Sequence, residues 1–279
     1  MTNITNQASS AVTSKSELGL SKAILGFESI GQDPTSVTIN GQKVDLVEAL
    51  AKSVTPASSA ADAQNYVSLD PYALIAISSN GVASESAANQ KDISAAKATL
   101  IANLKLAQTN GTWNTYGDYV DYTGTALIGL SLNSNNSDAS AMMTSAVNAM
   151  NTTKYFDATD GNFVDPSNGK SPAGDAMMIT GLSSAAANGN AAAKAFVDQN
   201  GSLMLKALLK SQDPTTGAFP STFGPQIQTQ EAVYSLDQYN CYKAGHGSIF
   251  DFQTNPYGSD IYSQPTTPAT PVITPSAPV

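Results

Sequence analysis

The sequence predicts an all-α protein in which buried and amphipathic helices alternate along the chain. Apolar residues recur at helical spacing in segment after segment, whereas strand signals are sparse. A glycine, one spacer and an aromatic residue occur three times between these segments, at residues 111–113, 161–163 and 217–219. A loop that recurs in this way indicates a repeated structural unit.

Helical periodicity is found at residues 17–29, 44–53, 72–79, 92–108, 121–132, 138–150, 171–188, 191–211 and 227–239. The buried helices recur at a period of roughly fifty residues, and their equivalent turns end at Phe27, Ile77, Leu130, Leu182 and Leu236. A single helix pair cannot bury both of its faces. Such a chain therefore closes most naturally into a double ring, the α/α toroid, here of about five to six helix pairs.

The N-terminal half has clear helix boundaries after a featureless start. Residues 1–14 are small and polar without periodicity, so we expect a flexible leader there. The first predicted helix ends before Gly31, and Asn40-Gly41 predicts a turn before the second. Residues 55–65 are expected to form a loop. Asp70, which a proline follows, is expected to cap the third helix.

The C-terminal half repeats the same order of elements. An amphipathic helix over residues 92–108 is expected to lead through the first glycine-aromatic loop to the buried segment 121–132. Ser171, with proline after it, predicts the start of the next buried helix. Asn200-Gly201 is a candidate break in the long helix over residues 191–211.

The charge pattern excludes several classes of partner. Only 13% of the residues are charged, the formal net charge is −9, and the sequence contains no arginine. Without the forked donor that binds phosphate at two points, and without a basic face, a nucleic-acid partner is not expected. The absence of a long apolar run predicts no membrane insertion. A single cysteine, Cys241, excludes an internal disulfide.

The end of the chain differs in composition from the rest. Residues 253–279 are rich in proline and threonine and cannot form a core, so the expected helical domain covers residues 15–252. This tail is typical of a spacer to a wall anchor or another domain, and a disordered tail is the alternative. The first residues lack a secretory signal, which leaves either a cytoplasmic protein or a chain that begins at a mature terminus. The uncharged polar surface is common in bacterial surface proteins and favours an extracellular, cell-surface location. We also expect a monomer without a cofactor.

Two stretches resemble a known superfamily. Gln108-x-x-Gly111-x-Trp113, followed by Asp-Tyr-Thr-Gly-Thr-Ala-Leu-Ile-Gly-Leu at residues 121–130, resembles the repeat of terpenoid cyclase and protein prenyltransferase toroids. The sequence is most similar to prenyltransferase-like repeat domains of Gram-positive surface proteins, whose fold is related to the helical barrel of cobalamin carriers. The resemblance covers residues 17–239. It implies the α/α toroid but no particular activity, since one fold hosts many functions.

The sequence departs from this superfamily at the residues that carry its best-known enzymatic activities. Class II terpene cyclases use an Asp-x-Asp-Asp motif, whereas this chain has only Asp118-Tyr-Val-Asp121. Protein prenyltransferases bind zinc through an aspartate, a cysteine and a distant histidine, and the candidates here, Asp237, Cys241 and His246, have the wrong spacing. The resemblance therefore implies a toroid without these catalytic or metal-binding groups.

The main candidate site follows the first glycine-aromatic loop. Tyr116, Tyr119 and Tyr122 occur there together with Asp118 and Asp121. Aromatic residues beside carboxylates are usual in carbohydrate sites, and a pair of acids could act in acid–base chemistry. The alternative is structural, with Asp121 as a helix cap and Asp118 as a solvated loop acid.

Residues outside this stretch complete the predicted site. Trp113, with Phe163 and Phe219, is expected at one rim, where it could stack on a sugar, or between repeats as packing. Asp175 and Glu231 fall within buried helices and could face a polar cavity or lie in a first turn. The predicted ligand-binding residues are Trp113, Tyr116, Asp118, Tyr119, Asp121, Tyr122, Asp175, Glu231 and Tyr234.

Two further sites are weaker candidates. Asp157, Asp160 and Asp165 could bind calcium, but their spacing matches no EF-hand and favours a solvated turn. Cys241 and His246 could form a nucleophilic pair, but a helical offset of five places them poorly on one face.

Three functions fit these observations. The leading hypothesis is a non-catalytic, surface-exposed module that binds a small molecule or glycan in the cavity or at the rim of the toroid. A polysaccharide hydrolase or lyase that uses Asp118 or Asp121 is the second. A structural spacer or adhesin domain is the third.

Overall fold

A computed structural model describes residues 2–79, 86–220 and 224–252. The chain is mostly helical within these ranges, which confirms the all-α class. The α-helices of the described ranges, α1 to α11 in chain order, are Thr2–Ser14, Glu17–Glu28, Leu46–Ser53, Ala60–Ala63, Asp70–Ser79, Ala87–Ala107, Val120–Ser131, Ser137–Met150, Pro172–Ala187, Ala191–Lys210 and Pro225–Lys243. The predicted proline- and threonine-rich tail lies outside the described residues.

Two short antiparallel hairpins interrupt the helices. The strands of the described ranges, β1 to β4, are Val37–Ile39, Gln42–Val44, Val164–Asp165 and Gly169–Lys170. The turn between β1 and β2 is the predicted Asn40-Gly41 pair, and both residues have positive φ angles, 51° and 80°. Two successive positive φ angles match the right-handed twist of a tight hairpin, which explains the asparagine and glycine at this position.

The expected flexible leader is wrong. Residues 2–14 form α1, which packs against α2 and buries Ala8 and Ala11. Polar residues fill most of α1, so its narrow apolar face gives little periodicity in the sequence. That face becomes stable only through packing on α2, because most of the stability of short helices in proteins comes from tertiary contacts.

Two other local expectations also fail. The segment 55–65, expected as a loop, contains the short α4. The helix α10 runs unbroken through Asn200-Gly201. Gly201 serves a packing role instead, because a Cβ at this position would lie 2.4 Å from Cε2 of Tyr239 on α11.

The helices lie in two layers. The helices α2, α5, α7, α9 and α11 contact one another in chain order, and α5, α7 and α9 are buried on nearly all sides. The amphipathic α6, α8 and α10 cover α5, α7 and α9 respectively. This is the predicted alternation of buried and amphipathic helices. In the described part of the chain no helix combines the length and the apolar character that crossing a bilayer requires.

Candidate functional site

The glycine-aromatic loops are joints between helices and not a ligand-binding rim. The side chains of Trp113, Phe163 and Phe219 are no more than 2% exposed. The indole N–H of Trp113 donates to the carbonyl oxygen of Leu104 near the end of α6, at 2.8 Å. Burial therefore supports the packing alternative, and Trp113 does not contribute a binding surface.

The same hydrogen bond recurs in each joint. The backbone N–H of the aromatic residue donates to a side-chain oxygen near the start of the next buried helix. The three pairs are Trp113–Thr123, Phe163–Asp175 and Phe219–Thr229, at 3.1, 2.6 and 3.0 Å. Asp175 is thus a structural acceptor in the second joint and not a cavity group. Burial raises the pKa of its carboxyl to about 7, against the lowering effect of the Phe163 N–H.

Glutamines in the first and third joints have a related role. The side-chain amide of Gln108 donates to the carbonyl oxygens of Gly111, at 3.3 Å, and of Met142 on α8, at 3.1 Å. Gln212 donates to Gly217 at 2.8 Å. Each glutamine closes its loop, which explains why this residue precedes two of the three glycine-aromatic loops.

Acids and hydroxyls from three separate helices lie close enough for their charges to interact. Tyr72 is the third residue of α5, Asp121, Tyr122 and Thr125 lie in α7, and Glu231 lies in α11. The Tyr72 phenol lies beside the hydroxyl of Thr125, which is 3.4 Å from the Asp121 carboxylate. Burial and the negative charges of Asp121 and Glu231 raise the pKa of Tyr72 above its ordinary value. We call these five residues the acid–tyrosine cluster.

The two carboxyls of this cluster bind protons unusually tightly. Burial, with a smaller contribution from the charge of Asp118, raises the pKa of Asp121 to about 6. Burial, and then the charge of Asp121, raises the pKa of Glu231 to about 7. Among the described residues no basic group shifts either pKa. The cluster therefore combines protonated and ionised carboxyls near neutral pH.

In the neighbouring loop the two acids exchange the roles that the structural alternative gave them, since Asp118 and not Asp121 caps the helix. The Asp121 backbone N–H donates to the Asp118 carboxylate at 3.0 Å, so Asp118 caps the first turn of α7. Because α7 begins at Val120, Asp121 lies inside the first turn, and its carboxylate is left to the cluster. Burial raises the pKa of Asp118.

The predicted tyrosines have three different environments. Tyr122 is half-buried, and burial followed by the charges of Asp121 and Asp118 raises the pKa of its phenol. Tyr116, 91% exposed, lies in the tight turn between Thr115 and Asp118 with a positive φ of 54°. Tyr119 packs instead against the Tyr155 ring, 6.0 Å away between centroids.

An apolar layer lies further along the same helices. Ile75, Ile128 and Met177, on α5, α7 and α9, pack together with Phe250. Tyr234 of α11 makes an edge-to-face contact with Phe250, with ring centroids 5.7 Å apart. We call Ile75, Ile128, Met177 and Phe250 the apolar floor. The structure thus places Tyr234 beside this floor.

Two members of the acid–tyrosine cluster, Tyr72 and Thr125, were not predicted from the sequence. A usable signal exists for the tyrosine, since Tyr72 and Tyr122 are both the third residue of a buried helix. Aligning the repeats by helix start would have placed the two phenols at equivalent positions.

The weaker candidates do not form sites. The Lys170 amine bridges Asp157 at 2.8 Å and Asp160 at 2.5 Å, and Asp165 accepts the backbone N–H of Tyr119 at 2.6 Å. No group of three potential His, Cys, Asp or Glu metal ligands occurs in the described residues. Cys241 is buried, whereas the neighbouring His246 is exposed.

A shallow cavity of about 320 Å³ lies elsewhere, between the C-terminal ends of α9 and α11 and the start of α10. Its charged groups pair with one another. Asp198 accepts hydrogen bonds from Lys194 at 2.7 Å and from the Tyr242 phenol at 2.6 Å. None of the predicted site residues lines this cavity.

Comparison of the chain with protein-family models, curated proteins and solved structures gives no significant match. The function of the acid–tyrosine cluster is therefore inferred from its own geometry.

Proposed function

We propose that the protein is a monomeric, surface-exposed α/α toroid that binds a small polyhydroxylated molecule or a glycan at the acid–tyrosine cluster without transforming it. The observation that carries this proposal is the meeting of Tyr72, Asp121 and Glu231, from three helices far apart in sequence. The proposed spacer over residues 253–279 would attach this module to a cell wall or to another domain.

An electrostatic interaction between two buried helices that are not neighbours supports the toroid. The charge of Glu231 on α11 acts on the Tyr72 phenol on α5, although α7 and α9 separate these helices in the order of contacts. A flat row of helices would place them too far apart. Curvature of the buried row around a common centre would explain this interaction.

The positions of the residues along their helices distinguish a polar end of the helices from an apolar interior. We call the end that carries Tyr72 and Asp121 the polar mouth. Tyr72 and Asp121 lie in the first turns of α5 and α7, whereas Ile75 and Ile128 lie deeper in the same helices and belong to the apolar floor. The two helices therefore run in the same direction, with their N-terminal ends at the polar side. A ligand is expected to enter from that side.

The chemistry of this mouth suits a neutral ligand rich in hydroxyl groups. Carboxylates accept hydrogen bonds from hydroxyls, and the rings of Tyr72 and Tyr122 offer apolar faces to a sugar ring. The exposed Tyr116 extends this aromatic surface. Phosphates and other anions are disfavoured because no basic residue in the described ranges balances the charges of Asp121 and Glu231.

The test is a glycan array followed by calorimetry of the full chain with the best-bound glycan. Asp121→Asn is expected to weaken binding by about tenfold or more, since a hydrogen bond to a charged group contributes about 1.5–3 kcal/mol. Tyr72→Phe should weaken binding as well. Glu48→Gln, an acid paired with Lys52 on the outer α3, is the matched control. Absence of glycan binding by the wild type, or equal affinity of Asp121→Asn, would contradict the proposal.

One observation favours a second function, cleavage of a polysaccharide. The pKa values of Asp121 and Glu231, about 6 and about 7, suit a base and an acid at neutral pH. Incubation with polysaccharides and analysis of reducing ends would detect hydrolysis, with a bell-shaped pH profile that Glu231→Gln removes. Binding without product formation over the same pH range would exclude this function for the glycans tested.

A further inference from the structure

A second set of buried acids lies away from the polar mouth, where α2 packs against α5. Glu17 and Asp70 are the first residues of these two helices, and their carboxyls lie within hydrogen-bonding reach of each other. Asp70 is 1% exposed. Among the described residues, no donor lies within hydrogen-bonding distance of either Asp70 oxygen or of Oε1 of Glu17. Asp70 therefore does not cap α5, contrary to the expectation from the proline that follows it.

Two carboxyls so placed are stable together only if one carries a proton that both share. Repulsion and burial disfavour the doubly ionised pair. Asn103 of α6 is a polar neighbour of Asp70 and lowers its pKa, but burial and the charge of Glu17 raise the pKa more.

The other end of the same interface repeats this arrangement. Glu28, near the C-terminal end of α2, is 7% exposed. Its Oε2 accepts the Ser79 hydroxyl of α5 at 2.7 Å, and its buried Oε1 has no donor. Asp33, which precedes the 3-10 turn Pro34–Ser36, adds a second negative charge nearby.

The elements around the interface supply no compensating cation. No ionisable side chain lies in α1, and Lys52 of α3 pairs with Glu48. Neither the exposed Lys22 of α2 nor the half-buried Lys97 of α6 is among the groups that shift the pKa of these carboxyls. Within the described residues, the hydroxyl of Ser79 and the side chain of Asn103 favour the ionised carboxyls, but no cation offsets their burial.

We propose that Glu17, Asp70 and Glu28 form a proton-dependent latch that holds the α1–α2 hairpin, residues 2–28, on α5 and loosens as the pH rises above neutral. Beyond the ligand site proposed above, this assigns the fold a pH-sensitive element. It rests on the buried, donor-free carboxyl oxygens of the interface and not on the acid–tyrosine cluster.

The direction of the pH dependence follows from proton binding. Burial raises the pKa of Asp70 to about 8 and of Glu28 to about 7, and it also raises the pKa of Glu17. The docked hairpin thus binds more protons than the released one. Its docking is fully stabilised below the ordinary carboxyl pKa of about 4 and weakens as the pH rises through about 7–8.

Amide hydrogen exchange of the full chain, read by mass spectrometry between about pH 6 and 8.5 and corrected for the intrinsic rate, tests the latch. Protection of residues 2–28 relative to α9 should fall about tenfold or more in the wild type, since one pKa unit corresponds to a tenfold change. In Asp70→Asn, which cannot ionise at this position, the fall should be clearly smaller than in the wild type, and the fall that remains comes from Glu28.

Two further variants make the result decisive. Glu17→Gln removes the other half of the pair and should reduce the pH dependence even if Asp70→Asn fails to fold. Asp92→Asn, which changes an exposed carboxyl of α6, should match the wild type. Protection that does not change with pH in the wild type, or an unchanged slope in the folded latch variants, would overturn the proposal.

Discussion

Substitution of Gly124 or Gly181 by alanine is expected to destabilise the protein by about 2–4 kcal/mol, because each added methyl group meets backbone atoms. A Cβ at Gly181 would lie 2.4 Å from the carbonyl oxygen of Gly124, and a Cβ at Gly124 would lie 2.5 Å from the carbonyl carbon of Met177. Rotamer changes cannot relieve these contacts. The helices α7 and α9 would have to separate, which disturbs the largest contact between buried helices.

Gly26→Ala on α2 is the matched control for these variants. A Cβ there would meet Cγ2 and Cδ1 of Ile4 at 3.7 and 3.8 Å, which is ordinary van der Waals contact. Alanine is favoured over glycine inside a helix by roughly 0.5–1 kcal/mol, so this variant should be slightly more stable than the wild type. Urea unfolding followed by circular dichroism measures all three variants. Similar midpoints for Gly124→Ala and Gly26→Ala would show that α7 and α9 do not approach this closely.

Much of the helical layout follows from the sequence alone. The ends of the buried helices were predicted to within a few residues. Their apolar character is continuous, and capping or helix-breaking residues mark their ends, as at Ser171, which caps α9. The helix α1 was missed because its stability depends on a narrow alanine-rich face, and that face is buried only when it packs against α2. Wide apolar faces are easier to recognise from the periodicity of a sequence than narrow ones.

The candidate site was harder to predict because it depends on which helices meet. Asp121 and Glu231 were both singled out, yet their sequences do not indicate that Tyr72 lies between their charges. Asp175 has the same local pattern as Asp121, an acid near the start of a buried helix, but it turns to the Phe163 N–H instead. Asp121 is the second residue of α7, whereas Asp175 is the fourth residue of α9, and this offset of two residues decides which direction each acid faces.

Trp113→Ala should have the largest effect among single side-chain truncations, a loss of about 3–5 kcal/mol in the free energy of unfolding. The indole is fully buried and lies in the joint that connects α6 to α7. Its removal leaves a cavity in that joint and also deletes the hydrogen bond to Leu104. Denaturant unfolding by circular dichroism is the measurement, since substitution removes the single tryptophan that fluorescence would report.

Trp113→Phe separates a structural role from a binding role. It should cost less, about 1–2 kcal/mol, because the ring is largely kept and the Leu104 oxygen retains the Gln108 backbone N–H at 3.0 Å. The folded variant should bind any glycan as tightly as the wild type, since the indole lies in the joint and not in the acid–tyrosine cluster. Tyr116→Ala should do the reverse, weakening binding while unfolding at the wild-type midpoint, because its side chain is 91% exposed. If the folded Trp113→Phe variant lost binding, the joint itself would have to be part of the ligand site.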